Sequence, residues 1–98
     1  MPAYLIANIE VTDPAGFERY RAAVPAVIAA HGGRYLVRGG AHAMVEGSLP
    51  LKRVVILEFP TMAALRGFYD SADYKPLLDL RLASTRSDVA FVEGCAAA

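Results

Sequence analysis

The stretch VVILEFP, residues 54–60, holds a single charge, the carboxylate of Glu58. Among Val, Ile, Leu and Phe a carboxylate is costly to bury unless a donor pairs with it. In FYDSADYKPLLDLR, residues 68–81, Tyr74, Leu77, Leu78 and Arg81 recur at helical spacing, which sets a guanidinium on an apolar helix face. An arginine drawn toward a sheet and a glutamate drawn into it can satisfy each other, with tyrosine hydroxyls taking the leftover lone pairs.

Two chemistries follow from such a pair. In the structural one, Glu58 and Arg81 fix register and dimer orientation, and removing either partner costs about 3–5 kcal/mol. In the functional one, Glu58 and Arg81, with Tyr69 and Arg38, line a cleft between sheet and helices that takes a small anionic or carbonyl ligand. Arginine grips the oxyanion, Glu58 takes or returns a proton, and tyrosine donates to the developing charge. Glu58 is then the candidate catalytic residue, and Arg38, Glu58, Tyr69, Tyr74 and Arg81 are the candidate substrate-binding set. Arg38 directly precedes Gly39-Gly40, where a bulge would aim its side chain into a cleft or across a dimer, with placement at the surface the equal alternative.

Other reactive residue types lack a supporting pattern. His31 falls at the end of an amphipathic helical stretch, where an imidazolium is favoured by the helix dipole. His42 sits in a glycine-rich segment with no carboxylate at ligand spacing, so no metal or haem site is expected. Ser71 and Ser84 have no nucleophile-elbow context, and no glycine pattern leads from a strand into a helix as dinucleotide binding requires. No cofactor is implied.

The elements that must position these residues can be read from spacing. Tyr4 to Val11 alternates, with Leu5, Ala7, Ile9 and Val11 on one face and Tyr4, Ile6, Asn8 and Glu10 on the other, which predicts a strand. Asp13 and Pro14 open a helix that carries Phe17, Tyr20, Val24, Val27, Ile28 and His31 and stops at Gly32-Gly33. Pro25 lies inside it, removes one backbone bond and frees the carbonyl of Arg21, which predicts a kink or a local widening. RYLVRGGAHAMVEG, residues 34–47, reads as a long strand interrupted by a bulge at Gly39-Gly40. After a loop at SLPL comes the most apolar strand, Arg53 to Pro60. Thr61 caps a second helix, Ser71 and Asp73 offer a restart with Pro76 in the first turn, and Val89 to Glu93 forms the last strand. The GCAAA tail is expected to be loose.

At 98 residues the chain makes one domain, placed at 1–95 with a flexible tail at 96–98. Ten basic side chains balance ten acidic ones, so no sustained field draws nucleic acid or anionic lipid. Cys95 is the only cysteine, which rules out an intrachain disulfide or thiolate cluster and suits a cytoplasmic protein. The apolar run from Ala3 to Ile9 lacks the length and basic flank of a signal peptide or membrane span, so no membrane partner is expected. Hydrophobic residues make up 55 % of the chain, against roughly 45–50 % in soluble domains, and this surplus points to apolar surface covered by self-association.

The order strand, helix, strand, strand, helix pair, strand implies an α+β fold of ferredoxin-like β-α-β-β-α-β type. Its four-stranded antiparallel sheet carries the helices on one face and leaves the other bare. A second copy of the same sheet is the natural cover, which predicts a homodimer built as a dimeric α/β barrel.

VTDPAGFERY, GGRYLVRGG, RVVILEFP, FYDSADYKPLLDLR and the two VEG segments together resemble the DUF1330 family of the dimeric α/β-barrel superfamily. The resemblance implies that fold, recurring polar positions at Arg38, Glu46, Arg53, Glu58, Tyr69, Tyr74 and Arg81, and kinship with cofactor-independent monooxygenases, small-molecule lyases and isomerases, and haem-handling proteins. STRSDVAFVEG and His42 depart from the family pattern. Three functions are compatible with it: a cofactor-independent enzyme acting on a small carbonyl- or carboxylate-bearing molecule, a non-catalytic ligand-binding protein, and a structural or interaction dimer.

Overall fold

The computed structural model describes residues 1–96, and its elements follow in the order β1 (Ala3–Val11), α1 (Pro14–Ala30), β2 (Arg34–Arg38), β3 (Arg53–Phe59), α2 (Met62–Tyr69), α3 (Lys75–Ser84) and β4 (Thr85–Glu93). The strands form one antiparallel sheet in the order β2-β3-β1-β4. Alternation decides its two faces. Ala3, Leu5, Ala7, Ile9, Leu57 and Phe59 are buried against Phe17, Val24 and Ile28 of α1 and Leu65 and Phe68 of α2, so the core lies between sheet and helices. The opposite face carries Tyr4, Ile6, Asn8, Val54, Ile56 and Val92, and no helix covers it; Ile6 is 39 % exposed and Val92 44 %. No helix among the described residues is long and apolar enough to cross a membrane.

Helix boundaries follow their local chemistry. The Thr61 hydroxyl accepts from the Ala64 amide at 3.0 Å, capping α2. Ser71 accepts from the Tyr74 amide at 3.1 Å and donates to the Phe68 carbonyl at 2.8 Å, which breaks the helix pair and restarts it at Lys75-Pro76. His31 occupies the C-cap of α1. Asp13 stands at the N-cap of α1 without making a side-chain cap bond; its backbone N–H goes instead to the Ser84 carbonyl at 3.0 Å, tying the start of α1 to the end of α3. Past the turn, a β-carbon at Gly33 would stand 2.5 Å from Phe59 Cζ, so only glycine lets the chain re-enter the sheet there.

Two expectations about the second strand are corrected. The second strand ends at Arg38, and residues 39–52 form an exposed loop, because Gly39 at φ 67° turns the chain away after its amide makes a last ladder bond to the Val54 carbonyl at 2.8 Å. The bulge falls at Leu36, between Tyr35 and Val37, not at Gly39-Gly40. Gly94, at the head of the tail expected to be loose, donates to the Pro2 carbonyl at 2.8 Å, while Ala97 and Ala98 of the expected flexible tail lie outside the described residues. Helix α1 runs without interruption through Pro25.

Candidate functional site

A cleft of about 40 Å³ opens between the sheet and the helices. Its apolar floor includes Leu5, Ala7 and Ile9 of β1 and Val55 and Leu57 of β3, all on the helix-facing side of their strands. Aromatic rings line its helical wall. Phe68 and Tyr74 lie 4.5 Å apart between centroids, Tyr69 and Tyr74 5.4 Å, and Phe17 and Tyr20 5.9 Å.

Arg81 projects into this wall from α3 and is only 4 % exposed. Its Nη2 donates to the Tyr69 hydroxyl at 3.1 Å and its Nε to the Tyr74 hydroxyl at 3.4 Å; the Tyr74 and Tyr20 hydroxyls are 2.9 Å apart. Among the described residues no carboxylate lies within ion-pair distance of Arg81. Burial opposes its charge, but the Tyr74, Tyr20 and Tyr69 oxygens outweigh that, so the guanidinium is held charged with its pKa above the ordinary arginine value. Burial, and then Tyr74, pushes the Tyr20 hydroxyl well above the usual phenol range, and burial also raises Tyr35. Both stay neutral and able to donate at physiological pH.

Three further arginines reach the cleft from its other side. Arg38 lies over the Tyr35 ring at 4.6 Å and donates through Nη2 to the Arg21 carbonyl at 3.3 Å, and Arg53 lies over the Phe17 ring at 5.5 Å. Register explains both placements. The bulge at Leu36 sets Val37 opposite Ile56 on the bare face and Arg38 opposite Val55 on the cleft face; without the extra residue Arg38 would point away. Arg53 is opposite Ile9 and shares the parity of Val55, Leu57 and Phe59.

Of the five residues expected at the site, four converge here: Arg38, Tyr69, Tyr74 and Arg81. Glu58 does not. It is opposite Tyr4 and Arg34 on the bare face, where its Oε1 accepts from Arg34 Nη2 at 2.7 Å and Nε at 2.8 Å, and its Oε2 from the Tyr4 hydroxyl at 3.0 Å. The expected Glu58–Arg81 pair is therefore replaced by Glu58–Arg34, for a reason of parity: Leu57 and Phe59 face the helices, so Glu58 faces away from α3. Arg34 holds the Glu58 carboxyl below the usual glutamate range, with Tyr4 second, and Glu58 in turn raises the Tyr4 hydroxyl.

Arg21, Arg53, Tyr20 and Tyr35 were not among the expected site residues, yet the signals were present. Arg21 lies four residues after Phe17 and three before Val24, on the apolar stripe of α1, and Arg53 falls on the core parity of its strand. Glu46 and His42 lie in the exposed loop, His42 within 3.2 Å of the Leu51 carbonyl. No group of three or more potential metal-ligating His, Cys, Asp or Glu occurs among the described residues.

The sheet order and the helices on one face define the ferredoxin-like fold. The chain belongs to the family described as a domain of unknown function, DUF1330, whose pattern matches residues 2–95. Solved structures agree on the fold. A protein of unknown function from Rhodopseudomonas palustris superposes with a TM-score of 0.79 at 17 % identity, covering 98 % of this chain and 84 % of that one. A dimeric ferredoxin-like protein of unknown function from Jannaschia sp. CCS1 gives 0.66 at 17 % identity over 96 % of this chain and 100 % of that one. SnoaB, a cofactor-independent oxygenase from Streptomyces nogalater, gives 0.64 at 15 % identity over 98 % and 95 %. No curated protein sequence matches the chain.

Proposed function

We propose that the protein is a homodimer in which each subunit binds a small, mostly apolar molecule bearing a carboxylate or carbonyl group in the cleft between sheet and helices. Arg81 carries this reading. A buried guanidinium without a carboxylate is costly, and a chain that needed only packing at this position would be better served by an aliphatic side chain. Two tyrosine hydroxyls hold Arg81 in one orientation, and these bonds leave part of its five-donor capacity free for an oxyanion. The aromatic wall and aliphatic floor suit the apolar remainder of the ligand.

The described cleft lining contains no carboxylate, imidazole, thiol or amine, so a proton transfer near neutral pH lacks a group of matched pKa on the protein. Binding is accordingly the favoured activity. Cofactor-independent turnover is a second reading, supported by the fold shared with the oxygenase from Streptomyces nogalater. In it, Arg81 and the tyrosine hydroxyls stabilise an oxyanion formed on the bound molecule itself.

The dimer reading rests on the bare sheet face. Ile6 and Val92 are exposed there, and Leu49, 63 % exposed, lines a hollow on the same face with Ile6, Asn8 and Val54. Burying such a face against its copy at roughly 25 cal/mol per Å² gives a large apolar gain that outlasts the costs of association. The protein from Jannaschia that shares this fold is dimeric.

Native mass spectrometry of protein purified gently from its own host tests both parts. The expected result is a dimer carrying extra mass that is lost on denaturation. A bare monomer overturns the dimer, and a bare protein whose melting temperature responds to no small carboxylate or carbonyl compound overturns the binding site.

A further inference from the structure

We infer that the mouth of the cleft holds a second anion subsite built from Arg21, Arg38 and Arg53, so that the ligand is doubly charged, an apolar body with a carboxylate at each end. This rests on the reading of the cleft as a ligand site and narrows it to a substrate class.

Four guanidinium groups line the cleft, and no Asp or Glu does so among the described residues. Glu18, outside the lining, makes a long ion pair with Arg21 at 3.8 Å from its Nε, and both side chains are open to water, 70 % and 43 % exposed. Nε of Arg21 and Nε of Arg53 are both buried with no hydrogen-bond partner. Buried donors of charged groups are ordinarily satisfied, and two such donors on arginines that line one hollow are accounted for by an acceptor that arrives with a ligand.

These side chains are also held in place. Arg38 is fixed between the Tyr35 ring and the Arg21 carbonyl, the oxygen that Pro25 deprives of its helical donor. Arg53 is fixed between the Phe17 ring and Gly39, where any β-carbon would collide with its guanidinium. Three cations brought together with the exposed Glu18 as their one carboxylate neighbour among the described residues repel one another, so their common placement costs stability unless an anion binds there. Arg81 and its tyrosines lie on the α3 side of the cleft, and the trio lies on the α1, β2 and β3 side. One carboxylate at Arg81 and another at the trio leave the connecting carbons over Leu5, Ala7 and Leu57.

The test is titration calorimetry of the purified wild-type protein with linear dicarboxylates from succinate to sebacate, each against the monocarboxylate of equal length. At the best length the dicarboxylate is expected to bind about tenfold tighter, as a charge-assisted bidentate contact implies, and to lose affinity more steeply with added salt. In Arg21→Gln/Arg53→Gln the ratio of the two affinities should fall to near one, while Arg21→Lys/Arg53→Lys, which keeps the charges, retains part of it. Equal affinities in the wild type, equal salt slopes, or a preference that survives the Gln variant would each overturn the second subsite. Monocarboxylate binding abolished by Arg81→Met would leave the cleft reading standing in those cases; failure of both ligand classes to bind the wild type overturns the two together.

Discussion

Arg38 Nη2 donates to the main-chain oxygen of Arg21 at 3.3 Å, and the two residues belong to different elements, the edge strand β2 and the helix α1. Pro25 lies four residues after Arg21 and cannot supply the amide that would normally take this oxygen. A proline that weakens a helix thus creates an acceptor, and the Leu36 bulge delivers the arginine that uses it.

Replacing Pro25 with Ala returns the missing N–H to the Arg21 carbonyl. Global stability should rise by about 1 kcal/mol, less than the full helix-interior proline penalty of roughly 3 kcal/mol because Arg38 already offsets part of it. Arg38 then loses its anchor, so carboxylate affinity should fall although stability has risen. Urea unfolding and calorimetry on the same variant check both signs; a stability gain with unchanged affinity would show that the Arg38–Arg21 bond plays no part in shaping the cleft.

Arg81→Met separates folding from binding in the same way. The substitution removes a buried charge that has no carboxylate partner, so no counter-ion is stranded, and the residual cost is the donor lost to the Tyr69 hydroxyl, because Tyr74 keeps its bond to Tyr20. Stability should remain within about 1 kcal/mol of the wild type or exceed it, and carboxylate binding should be lost. A collapse of several kcal/mol would instead mark Arg81 as a structural residue.

Glu58→Gln bears on the other face of the sheet. The Glu58 carboxyl titrates below its unfolded value because Arg34 and Tyr4 donate to its ionised form. Its contribution is therefore present above the unfolded glutamate pKa, roughly 4.3, and is lost as pH falls through the lower folded value. Thermal melts between neutral and acid pH should show this loss in the wild type and a smaller one in Glu58→Gln. Cleft affinity should be preserved, since Glu58 faces away from Leu57 and Phe59; loss of binding in a folded Glu58→Gln protein would restore this carboxylate to the site.

Most of the architecture was legible in the residues. Alternation in β1 separated the two faces correctly, and Thr61, Ser71 and Pro76 marked helix boundaries that the structure keeps. Alternation in β3 groups Glu58 with Val54 and Ile56 but does not say which face meets the helices; burial of Leu57 and Phe59 decides it, and Glu58 faces away from Arg81. What spacing could not fix was the cause of the placement of Arg38. Its face depends on one extra residue at Leu36, and a one-residue slip inverts every side chain beyond it without altering composition or periodicity. Arg34 escaped notice for a related reason: its partner is set by cross-strand register, a pairing between positions 24 residues apart that no local spacing encodes.

Ile6 offers the most direct approach to the bare face. It is opposite Ile56 on one side and Ala90 on the other, at the middle of β1, and is 39 % exposed in the single subunit. A charge there meets its own copy, or a neighbour of it, wherever two sheets pack face to face, and leaves the core beneath Leu5 and Ala7 untouched. Ile6→Glu should shift the protein from dimer to monomer in sedimentation at micromolar concentration while its far-ultraviolet dichroism stays that of the folded chain. A dimer that covers the exposed apolar residues of this face also requires the monomeric variant to melt earlier and to lose the concentration dependence of its melting temperature. A folded Ile6→Glu protein that still sediments as a dimer would move the interface off the sheet, and with it the explanation for a chain in which 55 % of residues are hydrophobic.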